Sequence, residues 1–597
     1  GPGPVVDRAA AGPDAPAMRR AACVLAALAV AAGAASAGTP FIERDLVIPM
    51  RDGVRLQADV ERPAEAGRFP TLVYRTPYGR KHAEGNGVVR KALERGYAVL
   101  LVDVRGRYGS GGEFVPYLHE GRDGYDTIEW AAARPWSTGE IGTFGLSYPG
   151  AVQWLAAVES PPHLKAMVPA MTFSSPRNFF YAGGTWDLSW IDWIWDNIAP
   201  DARARANLPG PKNDKEAAAA AKAFEGKLPY RLPLTDIPEF RGGVAPYYFD
   251  WLAHRPDEAY WDWAELRGRY DRVGAAVLNF SGWHDETYGP EGAITNFLGL
   301  LAARQGEKDP RTQLVLGPWT HGGEDVDHSG DRTFGPTAPI DYAAMILRFM
   351  DHYVRGLDNG LEREPRVRAF VMGENTWRTG DTMPLAGTRP VSFYLAPGGK
   401  LAPQAAAAAA SSSSFVADPA NPVVDPYGAR PGAHDYRALA RRKDVLVFET
   451  EPLAEPLRVV GPIGVEMHFS ADAPDADLWV LLEDVAPDGT AWNLSSPGTD
   501  VLRASDRDGG PASKFLTPGE IVMLHLPNLR TGNLFGRGHR VRIVVCGSFM
   551  PHFSRNLQTG ESEALSAKSR PATLTVHHDA AHASRLVLPV LADGEKP

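Results

Sequence analysis

Ser147 lies in the stretch Gly145-Leu146-Ser147-Tyr148-Pro149-Gly150, at the end of an apolar run that begins at Ile141. Such a stretch reads as a nucleophile elbow: a strand ends, the chain turns sharply at the serine and a helix begins, so the hydroxyl stands clear of the backbone. Small residues must flank the turn because strand and helix come close together there. Gly145 and Gly150 supply them, although Pro149 fills the fifth place of strict G-x-S-x-G and the glycine comes one later. A serine hydroxyl is a weak nucleophile until a base takes its proton, and an acid must orient that base. In folds with such an elbow the chain order is Ser, then Asp or Glu, then His, each in a loop after a later strand. Asp285 directly follows Phe280-Ser281-Gly282-Trp283-His284, and His321 lies in Leu316-Gly317-Pro318-Trp319-Thr320-His321-Gly322-Gly323, which completes that order. Taken singly, Asp285 could be a helix cap or loop acid and His321 an ordinary hydrogen-bonded histidine.

Two rivals have the right chemistry in a worse place. His284 is a base, but on a strand end it points away from the target of its neighbour Asp285. Asp103 is an acid, but it precedes Ser147 and reads as an anchor for the glycine-rich loop 105–112. The oxyanion of an acyl-transfer intermediate needs two donors already in place. The backbone N–H of Tyr148, the residue after the nucleophile, is one. The second is expected from Arg75-Thr76-Pro77-Tyr78-Gly79, where Tyr78 offers either its N–H or its phenol, and chemistry alone leaves both open.

These residues need a scaffold of strands whose carboxyl ends gather at one edge. Residues 41–60 alternate like a hairpin with Arg51-Asp52-Gly53 as its turn, residues 69–74 read as a buried strand and 97–102 as another. Helical segments around Leu93 and over 121–133 fall between them and the elbow strand. Strand, helix, strand, helix in this rhythm predicts a mostly parallel sheet with helices on both faces and ligands at the carboxyl ends of its strands. After a further strand near 163–172 the character changes: Trp186, Trp190 and Trp193 fall at helical spacing, 215–224 is an alanine-rich helix, and 251–263 reads as aromatic and helical. This predicts an all-helical insertion whose aromatics are mostly core. Sheet returns at 275–280 and 314–316, and a helix over 342–354 closes the first domain. Beyond Pro365 the segments 367–372, 391–395, 445–449, 464–470 and 478–482 are short strands between turn signals. They predict a second, all-β domain, a jelly roll, with 405–414 as a low-complexity exposed loop. The domain boundaries are 38–173 and 274–362 for the α/β core, 174–273 for the helical insertion and 363–597 for the β domain.

The 597 residues are too many for one core, and 44% hydrophobic content with 15 Trp, 19 Tyr and 23 Phe is ample for several. A net charge of −10 without a long Lys/Arg block argues against nucleic acid or an anionic membrane as partner. Met18-Arg19-Arg20 precedes an apolar run over 21–32 and the small residues Ala35-Ser36-Ala37, which together read as a secretory signal peptide cleaved after Ala37. The run is too short to span a bilayer, so no membrane span is expected in the mature protein, which would be secreted or periplasmic. The Gly/Pro/Ala-rich residues before Met18 fall outside that design. Cys23 would leave with the signal, so Cys546 would be the one mature cysteine, a buried strand thiol with no disulfide partner. The acidic run Glu324-Asp325-Val326-Asp327-His328 with Asp331 matches no calcium loop and reads as a solvated loop. The chemistry requires no metal and no cofactor.

Arg75-Thr76-Pro77-Tyr78, Asp103-Val104-Arg105-Gly106 with Ser110 and Gly112, the elbow, Gly282-Trp283-His284-Asp285 and Gly317-Pro318-Trp319-Thr320-His321 together resemble the CocE/NonD hydrolases. That family contains cocaine esterase, glutaryl-7-aminocephalosporanic-acid acylases and α-amino-acid ester hydrolases, and is related to X-prolyl dipeptidyl-peptidases. Its G-x-S-Y-x-G form accounts for the displaced glycine. The resemblance runs from about Phe41 to the end of the β domain. It implies an α/β-hydrolase core with a helical cap, followed by a C-terminal jelly roll that helps wall the acyl pocket. It implies a Ser147–Asp285–His321 triad, with the Tyr78 phenol and Tyr148 N–H as oxyanion hole. Where α-amino-acid ester hydrolases carry two acids shortly after the triad aspartate, this chain has Thr287 and Tyr288, and residues 179–181 hold no acid, which disfavours a cationic α-amino substrate. The expected activity is hydrolysis of a small-molecule carboxylic ester, with amides also open. The alternatives are a β-lactam side-chain acylase, an X-Pro or aminopeptidase-type hydrolase that Glu286 keeps open, and an inert carbohydrate-binding protein. A homo-oligomer is compatible with the sequence.

Overall fold

Within the strand Ala98–Asp103, Leu100 and Val102 join one buried cluster while Val99 and Leu101 join another. A strand whose two faces are both apolar must be covered on both sides. That is the position of this strand in the computed structural model, which describes residues 39–224, 226–428, 430–495, 499–510 and 512–592. The residues read as a signal peptide lie outside these.

The core is a ten-stranded sheet. In chain order its strands are β1 (Phe41–Pro49), β2 (Arg55–Arg62), β3 (Phe69–Thr76), β4 (Ala98–Asp103), β5 (Ser137–Leu146), β6 (Leu164–Ala170), β7 (Ala276–His284), β8 (Thr312–Thr320), β9 (Val367–Val371) and β10 (Thr376–Gly380). Their spatial order is β1-β2-β4-β3-β5-β6-β7-β8-β9-β10, with β4 through β9 mutually parallel and antiparallel strands at both edges. The helices α1 (Gly87–Glu94) and α5 (Tyr342–Tyr353) cover one face; α2 (Glu120–Ala132) and α3 (Tyr148–Ala157) cover the other, and α4 (Glu291–Ala303) packs beside β7 and β8. Every residue of α3 is buried, as expected of a helix apolar all round.

The sheet order reverses at β3: the chain passes from β3 to β4 on one side and then to β5 on the other. Ligands bind at such a switch point, outside the carboxyl ends of the strands. The loop after β3 carries Tyr78 and the turn after β5 carries Ser147, so the pairing of β3 with β5 sets the two side by side. In the same way Thr320 of β8 is the partner of His284 of β7. The residues that follow them, His321 and Asp285, are therefore neighbours.

Four expectations are corrected. The segment 367–372 was assigned to the second sheet, but β9 pairs in parallel with β8 and extends the first sheet past residue 362. A short apolar run does not name its partner, and β9 takes the open edge of β8. Trp186 is not on a helix with Trp190 and Trp193: Tyr181–Ala182 and Thr185–Trp186 form a two-stranded ribbon. Gly183 and Gly184 between them have φ of 51° and 89°, the left-handed pair of a tight hairpin turn. Trp251 and Trp263 likewise belong to separate short helices, Pro246–Leu252 and Ala259–Ala264. Finally, Ser412–Ala417, the end of the low-complexity tract, is a strand paired with Ala572–His577.

The β domain is built on the long strand Leu457–Ala471, whose alternate residues Ile463, Val465, Met467 and Phe469 are buried while Glu466 and His468 are not. It pairs with Val522–Phe535, Ala572–His577 and Arg585–Leu591. Cys546 ends the strand Arg540–Cys546, buried, its thiol pushed up to about 12 by burial. Backbone bonds fasten this domain to the core, Met372 N–H to Gly532 O at 2.8 Å and Leu534 N–H to Met372 O at 2.8 Å. They fasten it to the cap as well, through Leu188 N–H to His552 O at 3.0 Å and Arg503 N–H to Gly183 O at 2.7 Å. Among the described residues no helix is long and apolar enough to cross a membrane.

Candidate active site

The elbow is strained. Ser147 has φ 71° and ψ −129°, outside the regions comfortable for a residue with a Cβ, at a penalty of about 1–3 kcal/mol that the surrounding packing must sustain. The flanking glycines explain how it fits. Gly145 has φ 146°, and a Cβ there would lie 2.5 Å from Pro149 Cβ; a Cβ on Gly150 would lie 2.6 Å from Ala170 O at the end of β6. The late glycine is thus where α3 passes closest to the neighbouring strand.

His321 Nδ1–H donates to Asp285 Oδ1 at 2.9 Å. Asp285 is fully buried and also accepts N–H bonds from Thr287 and Tyr288 at 3.1 and 3.2 Å, so its carboxylate is fixed from two sides. The His321 side chain is 18% exposed, enough for its other ring nitrogen to meet a substrate. Burial pulls the imidazole pKa down, but the Asp285 charge and hydrogen bond outweigh it and leave the pKa raised. Glu286 accepts the His321 backbone N–H at 3.0 Å, a second hold on the same residue; burial, then the neighbouring Asp285, push its carboxyl up.

The rivals are placed elsewhere. His284 is fully buried with neither ring nitrogen bonded, and burial pushes its pKa down to about 3. Asp103 accepts the Arg80 N–H at 2.6 Å, pairs with the Arg80 guanidinium at 2.5 Å and receives Ser110 Oγ on its carbonyl at 2.6 Å, so it anchors the glycine-rich loop. In the acidic run, residues 325–328 and Asp331 are exposed, and Asp331 bonds His434 Nδ1 at 2.7 Å. Among the described residues no three such groups converge as metal ligands.

The question left open at Tyr78 has a geometric answer. Its backbone N–H is spent on Thr76 Oγ1 at 3.1 Å, whereas its phenol accepts from Trp193 Nε1 at 3.1 Å and lies beside Ser147, so the phenol proton is the one free to be given. Tyr148 is the first residue of α3 and has no carbonyl one turn back, which leaves its N–H available. Its own phenol is committed, donating to Glu120 Oε1 at 2.8 Å and accepting Tyr117 N–H at 2.9 Å. Glu120 in turn holds Arg75 at 2.5 Å in a buried pair. Ser147, the Asp285–His321 pair, Tyr78 and the Tyr148 N–H therefore all follow the carboxyl ends of parallel strands, at one edge of the sheet.

The chain is 30% identical to cocaine esterase of Rhodococcus sp. (strain MB1 Bresler), over 93% of this chain and 99% of that protein. The chain belongs to the CocE/NonD family of serine hydrolases. It is an enzyme that acts on ester bonds. Its core matches the family profile described as X-Pro dipeptidyl-peptidase (S15 family) over residues 52–323, and its β domain the X-Pro dipeptidyl-peptidase C-terminal non-catalytic domain over 359–587. Among solved structures, an aminopeptidase from the marine sediment archaeon Thaumarchaeota archaeon superposes with TM-score 0.74 at 25% identity, covering 93% of this chain and 96% of that one. An α-amino acid ester hydrolase gives TM-score 0.72 at 25% identity over 93% and 97%.

In this CocE/NonD enzyme several site residues escaped the sequence. Trp193 lies parallel to the Tyr148 ring at 6.2 Å as it bonds Tyr78, while Trp186 and Trp190 are buried core. Tyr288, singled out only as the place of a missing acid, stacks on Phe179 at 4.4 Å with its ring centroid 5.7 Å from that of His321. Tyr117 bonds the Tyr288 hydroxyl at 3.1 Å and had no motif around it. Beside Asp285 opens a cavity of about 130 Å³ at the junction of core, cap and β domain. Its lining includes Asp187, Glu286, Glu291 and Asp500; burial pushes Asp187 and Asp500 up to about 6. Two of these acids, Asp187 and Asp500, come from segments far from Asp285 in the chain.

Proposed function

We propose that this protein hydrolyses carboxylic esters through a covalent acyl-enzyme at Ser147. The bond between His321 Nδ1 and buried Asp285 carries this reading, because it leaves the other imidazole nitrogen to take the Ser147 proton. Ser147 Oγ attacks the acyl carbon, the carbonyl oxygen gathers negative charge against the Tyr78 phenol and the Tyr148 N–H, and His321 returns the proton to the departing alcohol. Water then attacks the acyl carbon, His321 takes its proton, and the acid leaves as Ser147 is restored. Preorganised donors of this kind are each worth roughly 10²–10³ in turnover. Cleavage of amides uses the same steps.

A second reading is hydrolysis of amino-acid esters or peptides. The carboxylates around the cavity beside Asp285 favour it, since they would hold a substrate ammonium. An exported location belongs to the same proposal and rests on the sequence of residues 18–37.

A fluorophosphonate probe and p-nitrophenyl acetate, applied to the wild type and to Ser147→Ala, test the mechanism. The wild type should label and turn over, and the variant should do neither. An unlabelled, inactive wild type would sink the proposal.

A further inference from the structure

The Tyr288 ring has a partner on every side. It stacks on Phe179 at 4.4 Å and 13°, its centroid lies 5.7 Å from that of His321, and its hydroxyl, which lies beside Ser147, bonds Tyr117 Oη at 3.1 Å. Tyr117 is itself buried and stacked on Tyr148 at 4.2 Å. A ring restrained on both faces and at its tip is a wall.

What lies behind the wall is space. Asp285 and Tyr288 line the cavity of about 130 Å³, whereas Ser147, Tyr78 and His321 do not. At roughly 10–15 Å³ per water such a volume holds on the order of ten waters, so it is large enough for an acyl chain. Phe179, Trp479 and Phe553 give it apolar walls among the carboxylates. Once Ser147 Oγ is acylated, the carbonyl oxygen is directed to Tyr78 and the Tyr148 N–H, and the leaving group departs past His321. The acyl chain must then run toward the remaining side, where Tyr288 stands.

We propose that Tyr288 is the acyl-length determinant of this enzyme: it closes the partition between Ser147 and the cavity, so that short acyl groups are accepted and longer ones are turned away. The inference rests on the esterase reading above and adds the substrate class to it. The residue acts by filling space. The hydroxyl serves to pin the ring.

The test compares kcat/KM for p-nitrophenyl acetate and p-nitrophenyl hexanoate in the wild type, Tyr288→Phe, Tyr288→Leu and Tyr288→Ala. The wild type should prefer acetate by roughly tenfold or more, a discrimination of the size a few methylenes carry in a closed pocket. Tyr288→Phe should keep that preference whatever happens to its absolute rate, because the wall remains. Tyr288→Ala should raise the hexanoate-to-acetate ratio by roughly tenfold, with Tyr288→Leu between. A ratio unmoved in both Tyr288→Ala and Tyr288→Leu, or moved equally by Tyr288→Phe, would overturn the proposal, the second outcome assigning the effect to the hydroxyl. If Tyr288→Ala fails to fold, Tyr288→Leu carries the decision. Fluorophosphonate labelling separates this failure from that of the esterase reading: variants that label as the wild type does but keep its ratio reject the partition alone, and a wild type that does not label rejects both.

Discussion

At the scale of single residues, the site divides one task among groups whose other bonds leave them a single free function. Tyr78 has spent its N–H on Thr76, so only its phenol can meet the oxyanion. Tyr78→Phe should therefore lower kcat by about 10²–10³ with KM little changed, because the lost bond forms mainly in the transition state; steady-state kinetics with p-nitrophenyl acetate will read this, and unchanged turnover would return the role to a backbone donor. His321 carries a raised pKa, and only the neutral imidazole can accept the Ser147 proton. The kcat/KM profile should accordingly rise with pH through a midpoint above the ordinary histidine value of about 6.5, and Asp285→Asn should lower that midpoint and cut turnover by about 10³–10⁴. A wild-type midpoint at or below 6.5 would contradict it. The sign for stability is opposite. A folded-state pKa above the unfolded one contributes stability that is complete below the unfolded value and lost as pH rises through the folded value. His321 thus gains activity over the range in which it stops stabilising the fold.

At the scale of elements, the turn between β5 and α3 is the tightest joint. Gly150→Ala would place a methyl 2.6 Å from Ala170 O, a backbone atom that cannot swing aside, and would push α3 off β6. About 1–3 kcal/mol of stability should be lost in urea unfolding, with turnover lost at the same time because Ser147 and Tyr148 ride on that joint; an alanine variant as stable and active as the wild type would show the approach to be slack. The elbow was legible in the sequence because its consequence is local: glycine, serine and glycine at a strand end admit few geometries. The meeting of Asp285 and His321 was legible because the parallel neighbours β7 and β8 end at one edge. The ribbon at Trp186 left a readable sign as well, since Gly183-Gly184 is a hairpin turn and outranks the four-residue spacing of Trp186 and Trp190. Other features had no local sign. The partner of the short strand β9 is chosen by which edge is open. Tyr117 reaches Tyr288 and Trp193 reaches Tyr78 from distant segments, and no spacing records such meetings.

At the scale of the molecule, cap and β domain meet at an ionic junction whose β-domain members are buried. Arg503 pairs with Asp477 at 2.8 Å and Glu563 at 2.9 Å, and beside it Arg255 of the cap pairs with Asp506. Arg503→Met would leave Asp477 and Glu563 buried without a cation, and such a loss is worth about 3–5 kcal/mol. Urea unfolding at pH 7.5 should show it, and the deficit should shrink at pH 5, where the abandoned carboxylates can take up protons. Equal deficits at both pH values would mean that the charges matter less than the packing. The cap lies between Ser147 and Asp285 along the chain, and the β domain that walls the cavity follows both. Because a chain is made from its N-terminus at about 5–20 residues per second, the strained Ser147 is synthesised well before Asp285 and His321, and the β-domain part of the cavity wall comes last. On the proposed mechanism Ser147 therefore has no partner to arm it until β7 and β8 have been added to the sheet.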